Sequence, residues 1–248
     1  MILRPLSFIY LLLLAAGCGN KQKPISATTQ QELKEVNDTL EIKETDTLNI
    51  NGYQLKFQPS AAVAIAGFNE QHGIKISGGQ TAYFTSLENG IGLHLDNGDT
   101  LRLNNHPSEA HTYHFYSLLP AINSYLVRVQ YPEGQSFLLV KKEDGQQVHL
   151  LGLPFVSPSK TYLVAVNEDQ IAGHSPNALQ FFERAGSFYR PIFTLHIKGW
   201  GTEKIKWLSD SAFAIERKTP LIDTARGKID FAISYSTVQF QVTNSTTK

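Results

Sequence analysis

Alternating apolar and polar residues dominate the chain from residue 48 onward. The segments Tyr53–Phe57 and Gly92–Asp96 alternate with a period of two, which is typical of strands with one buried face. The second segment is followed by an Asp-Asn-Gly-Asp sequence at residues 96–99 and then by another alternating segment, Thr100–Leu103. Because Asn-Gly tolerates a positive φ in a tight turn, this stretch is the clearest predicted hairpin in the chain.

A strand-turn-strand pattern recurs in the second half of the chain. Residues 119–129 parallel residues 156–166, and residues 207–215 form a weaker third copy. Each of the first two copies is followed by two more strand-like segments joined by a glycine-containing turn, so each unit is predicted to be a four-stranded meander. The interval from Tyr125 to Tyr162 is 37 residues, close to the roughly 40 to 45 residues of a propeller blade.

The turn in the second copy carries a family resemblance. Residues 157–163 read Ser-Pro-Ser-Lys-Thr-Tyr-Leu, which resembles the Ser-Pro-Asp-Gly-Lys-Tyr-Leu signature of WD40-like β-propeller repeats in bacterial extracytoplasmic proteins. Ser159 and Lys160 replace the usual Asp-Gly. The resemblance covers about half of the chain, and it implies an architecture rather than an activity.

These patterns predict an all-β protein. Closing a propeller normally takes at least four blades, and residues 48–112 are expected to add one irregular sheet to the repeats of residues 113–248. The predicted fold is a small or incomplete β-propeller-like body of four-stranded antiparallel meanders. A β-sandwich of the same meanders is the alternative, since strand patterns alone do not determine how sheets pack.

The first 47 residues follow a different pattern. Residues 1–17 contain one cation, an apolar run and a group of small residues, which is typical of a secretory signal peptide and too short to span a membrane. The small residues end at Cys18 and resemble the lipobox of bacterial lipoproteins. Residues 18–47 are rich in polar and charged side chains and contain no aromatic residue, so they are predicted to be a lipidated cysteine and a flexible tether. A short helix around residues 30–37 is the alternative within the tether.

The lipoprotein resemblance implies a location. It implies that the chain is cut before Cys18 and that this residue is acylated, which would anchor the protein without a spanning helix. Gly19, rather than Asp, follows the cysteine. By resemblance to Gram-negative lipoproteins, this implies release to the outer membrane, with the periplasmic or outer side left open.

The amino-acid composition excludes several kinds of functional site in the chain after Cys18. Cys18 is the chain's single cysteine, which excludes a disulfide framework, a cysteine-ligated metal and a cysteine nucleophile in the rest of the chain. The 22 Lys and Arg residues balance 22 Asp and Glu residues, which argues against a nucleic-acid partner. No complete catalytic motif is present. The sequence therefore favours a protein that is not an enzyme and has no cofactor.

One cluster contains residue types that bind metals. His106, His111 and His114 lie within nine positions, with Glu109 between them. Imidazole and carboxylate groups are zinc ligands, but this spacing matches no recognised metal motif. On a strand, His114 would share a face with Thr112 while His111 faced the other side. The two interpretations are a zinc site, which would suit a metal-assisted hydrolase, and a solvated loop with a half-buried His114.

Two further segments suggest binding. Residues 173–177 superficially resemble a nucleophile elbow, but Pro176 has no N–H for an oxyanion hole. His174 and Asn177 in this segment are candidate binding residues on an inter-strand loop. Trp200 is a candidate sugar-stacking residue if exposed, and a packing residue if buried.

The expected function is that of a lipid-anchored cell-envelope protein, acting as a binding or scaffold module. Its expected partners are the membrane, through the lipid, and a protein or glycan of the envelope. The alternatives are a metal-assisted hydrolase that uses the segment from His106 to His114, and a polysaccharide-binding lipoprotein.

Overall fold

A computed structural model describes residues 39–61, 82–105 and 110–243. These residues form sixteen strands and a short 3₁₀ turn at Pro120–Ile122, and the strands pair in antiparallel ladders. The predicted all-β class is confirmed. No helix in the described ranges is both long and apolar enough to cross a membrane. Cys18, His106 and Glu109 lie outside the described residues.

Three of the four sheets are meanders in which neighbours along the chain are neighbours in the sheet. Sheet I contains β3 (Phe84–Leu87), β4 (Gly90–His94) and β5 (Thr100–Asn104). Sheet II contains β6 (Thr112–Leu119), β7 (Ser124–Gln130), β8 (Gln135–Lys141) and β9 (Gln147–Leu150). Sheet III contains β10 (Leu153–Val156), β11 (Tyr162–Asn167), β12 (Ala178–Ala185) and β13 (Phe188–His196).

The predicted hairpin is present as β4 and β5 in sheet I. Its strands pair with His94 opposite Thr100. Gly98 has a φ of 88° in the connecting turn, and the side-chain oxygen of Asn97 accepts a hydrogen bond from the backbone N–H of Asp99 at 2.9 Å. The Asn-Gly pair therefore supplies the backbone conformation and the side-chain hydrogen bond that the turn requires.

Sheet IV joins the two ends of the described chain. Its order is β1 (Thr47–Ile50), β2 (Tyr53–Pro59), β16 (Lys228–Val242), β15 (Ala212–Asp223) and β14 (Ile205–Ser209). Strand β2 pairs with β16, from Pro59 opposite Ser236 to Tyr53 opposite Val242. The predicted division between residues 48–112 and 113–248 therefore does not separate two structural bodies, because β2 is a central strand of the C-terminal sheet.

Three apolar clusters show that the sheets stack face to face in the order I, II, III, IV. Leu93 of sheet I packs with Tyr125 of sheet II, and Leu126 on the opposite face of sheet II packs with Leu163 of sheet III. Phe181 of sheet III packs with sheet IV. Within the described ranges, no cluster joins sheet I to sheet IV, so the layers form an open stack. An open body of antiparallel sheets is consistent with both predicted forms, the incomplete propeller-like body and the sandwich.

The two inner sheets are buried on both faces, which explains their sequence pattern. Residues 163–166 in β11 and residues 178–182 in β12 are buried without interruption. Continuous apolar runs of this kind are expected when a strand has a packed layer on each side.

The repeated segments occupy the same hairpin in successive sheets, but with a shift of one residue. In sheet II, Tyr125 lies opposite Leu118 and faces sheet I. In sheet III, Leu163 lies opposite Val156 and faces sheet II, which is the corresponding orientation. Tyr162 instead faces sheet IV. Leu163 is therefore the structural counterpart of Tyr125, and the expected equivalence of the two tyrosines is corrected.

The last part of the predicted tether belongs to the body. The backbone N–H of Leu40 donates to the carbonyl of His196 at 2.8 Å, and Ile42 is only 2% exposed within the cluster between sheets III and IV. The apolar contacts of these two residues offset the entropy lost when the segment is ordered. The prediction of a tether over residues 18–47 is thus corrected for residues 40–47.

Candidate interaction surfaces

The two described histidines of the predicted metal cluster have separate hydrogen-bond partners. The Nε2 atom of His111 lies 3.0 Å from the hydroxyl of Tyr113, and that of His114 lies 2.9 Å from the hydroxyl of Thr112. His114 is exposed rather than half-buried, which corrects the prediction. Among the described residues, no three potential ligands are grouped so that they could hold a metal.

A carboxylate organises the loop that resembles a nucleophile elbow. Asp169 accepts hydrogen bonds from the backbone N–H of Gly173 at 2.8 Å and from the N–H and hydroxyl of Ser175 at 2.7 and 3.0 Å. Burial raises the pKa of Asp169, but these hydrogen bonds outweigh burial and lower it overall. Because the Ser175 hydroxyl donates to a carboxylate and the next residue is Pro176, the loop lacks the geometry of a nucleophile site.

The two candidate binding residues of this loop have different roles. His174 lies at the surface, with its Nδ1 atom 3.0 Å from a carboxylate oxygen of Glu133. Asn177 donates from Nδ2 to the carbonyls of Ile197 and Trp200, both at 2.8 Å, and so holds the loop that follows β13. Asn177 is therefore a structural residue in this part of the molecule, while His174 is accessible.

Trp200 is buried and cannot stack on a sugar. It is 3% exposed, its Nε1 atom donates to the carbonyl of Ile42 at 2.8 Å, and the guanidinium of Arg217 lies 4.1 Å from its ring centroid. Arg217 donates to the same carbonyl at 2.6 Å, and burial lowers the pKa of its guanidinium although Glu44 and Asp46 are nearby. Trp200 therefore fastens the N-terminal segment to the body, which is the packing alternative given for it from the sequence and not the sugar-stacking one.

A groove of about 620 Å³ lies at the end of sheet IV where β15 begins. Its lining combines two aromatic rings with amide, ammonium and carboxylate groups; these residues include Gln54, Lys56, Tyr162, Asp210, Gln239, Phe240 and Gln241. Several of these groups already have partners, since Gln241 donates to Gln54 at 3.0 Å and Asp210 accepts from the backbone of Ser159 at 2.7 Å. The groove is thus an open surface of mixed polar and apolar character.

A polar cluster continues from Tyr162 between sheets III and IV. The rings of Tyr53 and Tyr162 meet edge to face with centroids 6.4 Å apart. Glu183 pairs in register with Tyr162 on one side and with Arg190 on the other, and accepts a hydrogen bond from Arg190 at 2.9 Å. Burial, followed by the charge of Glu183, raises the pKa of both tyrosines, so both phenols stay protonated at neutral pH. Sequence reasoning missed this cluster, because its members come from four distant strands.

Among the described residues, more than half of the exposed large apolar side chains lie on a two-stranded ribbon, residues 218–233. Strands β15 and β16 continue past the rest of sheet IV, with pairing that runs from Lys218 opposite Ile233 to Asp223 opposite Lys228. No bulge interrupts this ladder. The ribbon therefore projects from the body as a regular element.

One face of the ribbon is apolar. The register places Pro220 opposite Phe231 and Ile222 opposite Ile229, so these residues share a face with Ile233. The four large side chains are 38 to 63% exposed. The other face carries mainly small and charged residues. A contiguous exposed apolar face of this kind is a candidate interaction site. The alternation of residues 229–233 was its sequence signal, and sequence reasoning missed it.

Comparisons with known proteins assign no family. No protein-family model matches the chain, and no curated protein matches it significantly. The fold and its surfaces therefore define the chain as an all-β protein of four stacked antiparallel sheets with a projecting amphipathic ribbon.

Proposed function

We propose that this chain is a lipid-anchored protein of the cell envelope that acts as a non-enzymatic binding or scaffold module. The observation that carries the proposal is the exposed apolar face of the ribbon, residues 218–233, on a body whose sheets are otherwise well packed. Exposed apolar surface is costly in water unless a partner covers it.

The anchor would be the acylated Cys18. The signal-like segment ends at this residue, and the body begins at Leu40, where the chain pairs with the end of β13. Fully extended, the intervening residues would reach up to about 75 Å, enough to hold the body away from a bilayer. The formal charge of zero provides no attraction to anionic lipids, so the lipid itself would be the attachment.

The anchor is tested by acylation and fractionation in cells. Cells expressing the full chain are labelled with a palmitate analogue, and membranes are separated from soluble protein. The Cys18→Ser variant is expected to lose the label and its membrane association, whereas the control Leu208→Ser, at an exposed position, should keep both. A Cys18→Ser chain that remains labelled and membrane-bound would contradict the anchor.

Polysaccharide binding is a second candidate, favoured by the groove beside Tyr162. Amide, ammonium and carboxylate groups around aromatic rings are suited to the hydroxyls and the apolar faces of sugars. In a glycan array, the Lys56→Ala, Gln239→Ala double variant should lose at least about tenfold in affinity relative to the wild type. Gln135→Ala, at an exposed glutamine outside the groove, is the control. No binding by the wild type, or equal binding by the double variant, rejects this candidate.

A further inference from the structure

We infer that the ribbon is a dimerisation element: the outer edge of β16 pairs with the same edge of a second copy of this chain, so that two ribbons form one four-stranded sheet. The inference builds on the proposed role of the ribbon as an interaction surface. It does not depend on the lipid anchor.

The two edges of the ribbon are unequal. The outer edge of β15 carries Pro220, which has no N–H to offer and is typical of an edge that is protected from pairing. Within the described ranges, β2 covers the outer edge of β16 only as far as Pro59 opposite Ser236, and one further bond joins Ser60 to the carbonyl of Tyr235. Beyond this point the edge of β16 contains no proline and no bulge. No described residue pairs with this stretch of the edge, so within the described ranges it presents a regular row of backbone donors and acceptors.

The side chains of β16 are complementary to themselves. In an antiparallel pair centred on Phe231, Ile229 would lie opposite Ile233 of the second copy, and Asp230 would lie opposite Ala232. A pair centred on Asp230 would place two carboxylates opposite each other and is disfavoured. The pattern of charges and apolar residues thus favours the pair centred on Phe231 over the pair centred on Asp230.

This self-complementarity points to a second copy rather than to a different protein. A twofold interface needs a patch that matches itself, and residues 229, 231 and 233 are arranged symmetrically about the central position. The balance of 22 basic and 22 acidic residues leaves no long-range repulsion between copies. In the paired state, the apolar faces of both ribbons would become one continuous surface.

Cysteine cross-linking tests the register. Phe231→Cys places two thiols opposite each other in the proposed pair, and the full chain is oxidised mildly in intact cells. The expected product is a disulfide-linked species of twice the monomer mass. Leu208→Cys, a similarly exposed position on β14, is the matched control and should cross-link at least about tenfold less. The parent chain, whose single cysteine is Cys18, is the blank.

Sedimentation of the purified chain tests whether two copies associate and how strongly the ribbon contributes. The detergent-extracted wild-type chain should sediment as a dimer after correction for bound detergent, and Ile229→Asp or Phe231→Asp should weaken self-association at least about tenfold. Leu208→Asp should remain dimeric. Circular dichroism should be the same for all variants, because each substitution is at an exposed position.

Three outcomes overturn the inference: a monomeric wild type, equal cross-linking at positions 208 and 231, or a cross-linked product with a mass other than twice the monomer. A monomer that still acquires palmitate would leave the proposed anchor intact. A dimer that persists in Cys18→Ser would show that self-association is independent of the anchor. Failure of the dimer and failure of the anchor are therefore distinguishable.

Discussion

The two halves of β16 both alternate, but their apolar residues lie on opposite faces of the strand and differ in burial. In residues 236–242, Val238 and Phe240 point into the layer between sheets III and IV and are at most 6% exposed. In residues 228–235, Phe231 and its apolar neighbours Ile229 and Ile233 are at least 38% exposed. Both halves pair with β15 in one uninterrupted register. The halves differ in that sheet III packs on the face that carries Val238 and Phe240, whereas the opposite face at residues 229–233 belongs to none of the apolar clusters among the described residues.

The difference shows what alternation specifies. Alternation with a period of two places the apolar side chains on one face of a strand. Whether that face is buried depends on whether another sheet packs against it. For residues 236–242 the chain supplies that layer itself. For residues 228–235 the apolar residues lie on the opposite face, and this exposed face is the basis of the proposed interaction surface. The proposed dimer pairs the edge of the ribbon and leaves this face exposed.

The largest expected effect comes from matched phenylalanine substitutions in the two halves. Phe240→Ala should lower the free energy of unfolding by about 3–5 kcal/mol, because it leaves a cavity among the aromatic rings of the layer between sheets III and IV. Phe231→Ala should change the stability of the monomer by less than about 0.5 kcal/mol. Urea denaturation of both variants measures the contrast. Similar losses in the two variants would mean that the ribbon is covered within the monomer.

The sequence predicted the local parts of this fold well. The hairpin of sheet I follows from alternation and an Asn-Gly turn, and the strands of sheets II and III follow from apolar runs between turn residues. The pairing of β2 with β16 could not be predicted, because it joins residues more than 170 positions apart and neither strand specifies its partner. The one-residue shift between Tyr125 and Tyr162 could not be predicted either. Aligning the two segments by residue type does not reveal how each strand pairs with its neighbour.

The candidate sites were harder to predict than the fold. Trp200 was ambiguous because its burial depends on the carbonyl of Ile42, 158 positions away. Asn177 lies in a loop whose composition is typical of a binding loop. Its side-chain amide, however, donates hydrogen bonds to two backbone carbonyls of a neighbouring loop. The ribbon could have been detected from the alternation of residues 229–233. Its exposure, however, depends on what the other sheets leave uncovered.

The next largest effect is an expected loss of folding stability at alkaline pH. It should arise from tyrosines buried between the sheets and not from residues of the ribbon. Burial raises the pKa of Tyr125 and of Tyr189 to about 12, and their hydroxyls donate to the carbonyls of His94 and Lys160. Between about pH 10 and 12 the unfolded chain loses these protons while the folded chain keeps them. Stability should therefore be complete below pH 10 and fall above it, by roughly 2 kcal/mol per tyrosine.

Thermal unfolding measured across this pH range checks the alkaline prediction. Tyr189→Phe should be less stable than the wild type at neutral pH and should lose less stability between pH 10 and 12. Phe231→Ala should follow the wild-type profile, because the ribbon contributes no buried phenol. A wild-type profile that stays flat to pH 12 is incompatible with protonated phenols in the layers.

A smaller effect is expected from two serines at the junction of the halves of β16. Ser236 is fully buried, and its hydroxyl has no hydrogen-bond partner among the described residues, whereas Ser234 lies where the ribbon leaves the body. Removing an unsatisfied hydroxyl should stabilise the protein, so Ser236→Ala is expected to gain about 1 kcal/mol. Ser234→Ala should change stability by less than about 0.5 kcal/mol. The urea concentrations at the midpoint of unfolding measure both effects. If Ser236→Ala is less stable than the wild type, the Ser236 hydroxyl has a hydrogen-bond partner in the wild-type protein.

The smallest effect on stability, but a distinct one on assembly, is expected from Pro220→Val. In the monomer, the change replaces one residue of a solvent-exposed edge strand and should alter the free energy of unfolding by less than about 0.5 kcal/mol. It also restores an N–H on the outer edge of β15 and raises its strand propensity, so that both ribbon edges become able to pair. Light scattering should then show assemblies larger than the dimer, with Leu221→Val as the control on the same strand. If Pro220→Val stays a dimer at every concentration, protection by Pro220 is not what distinguishes the two edges.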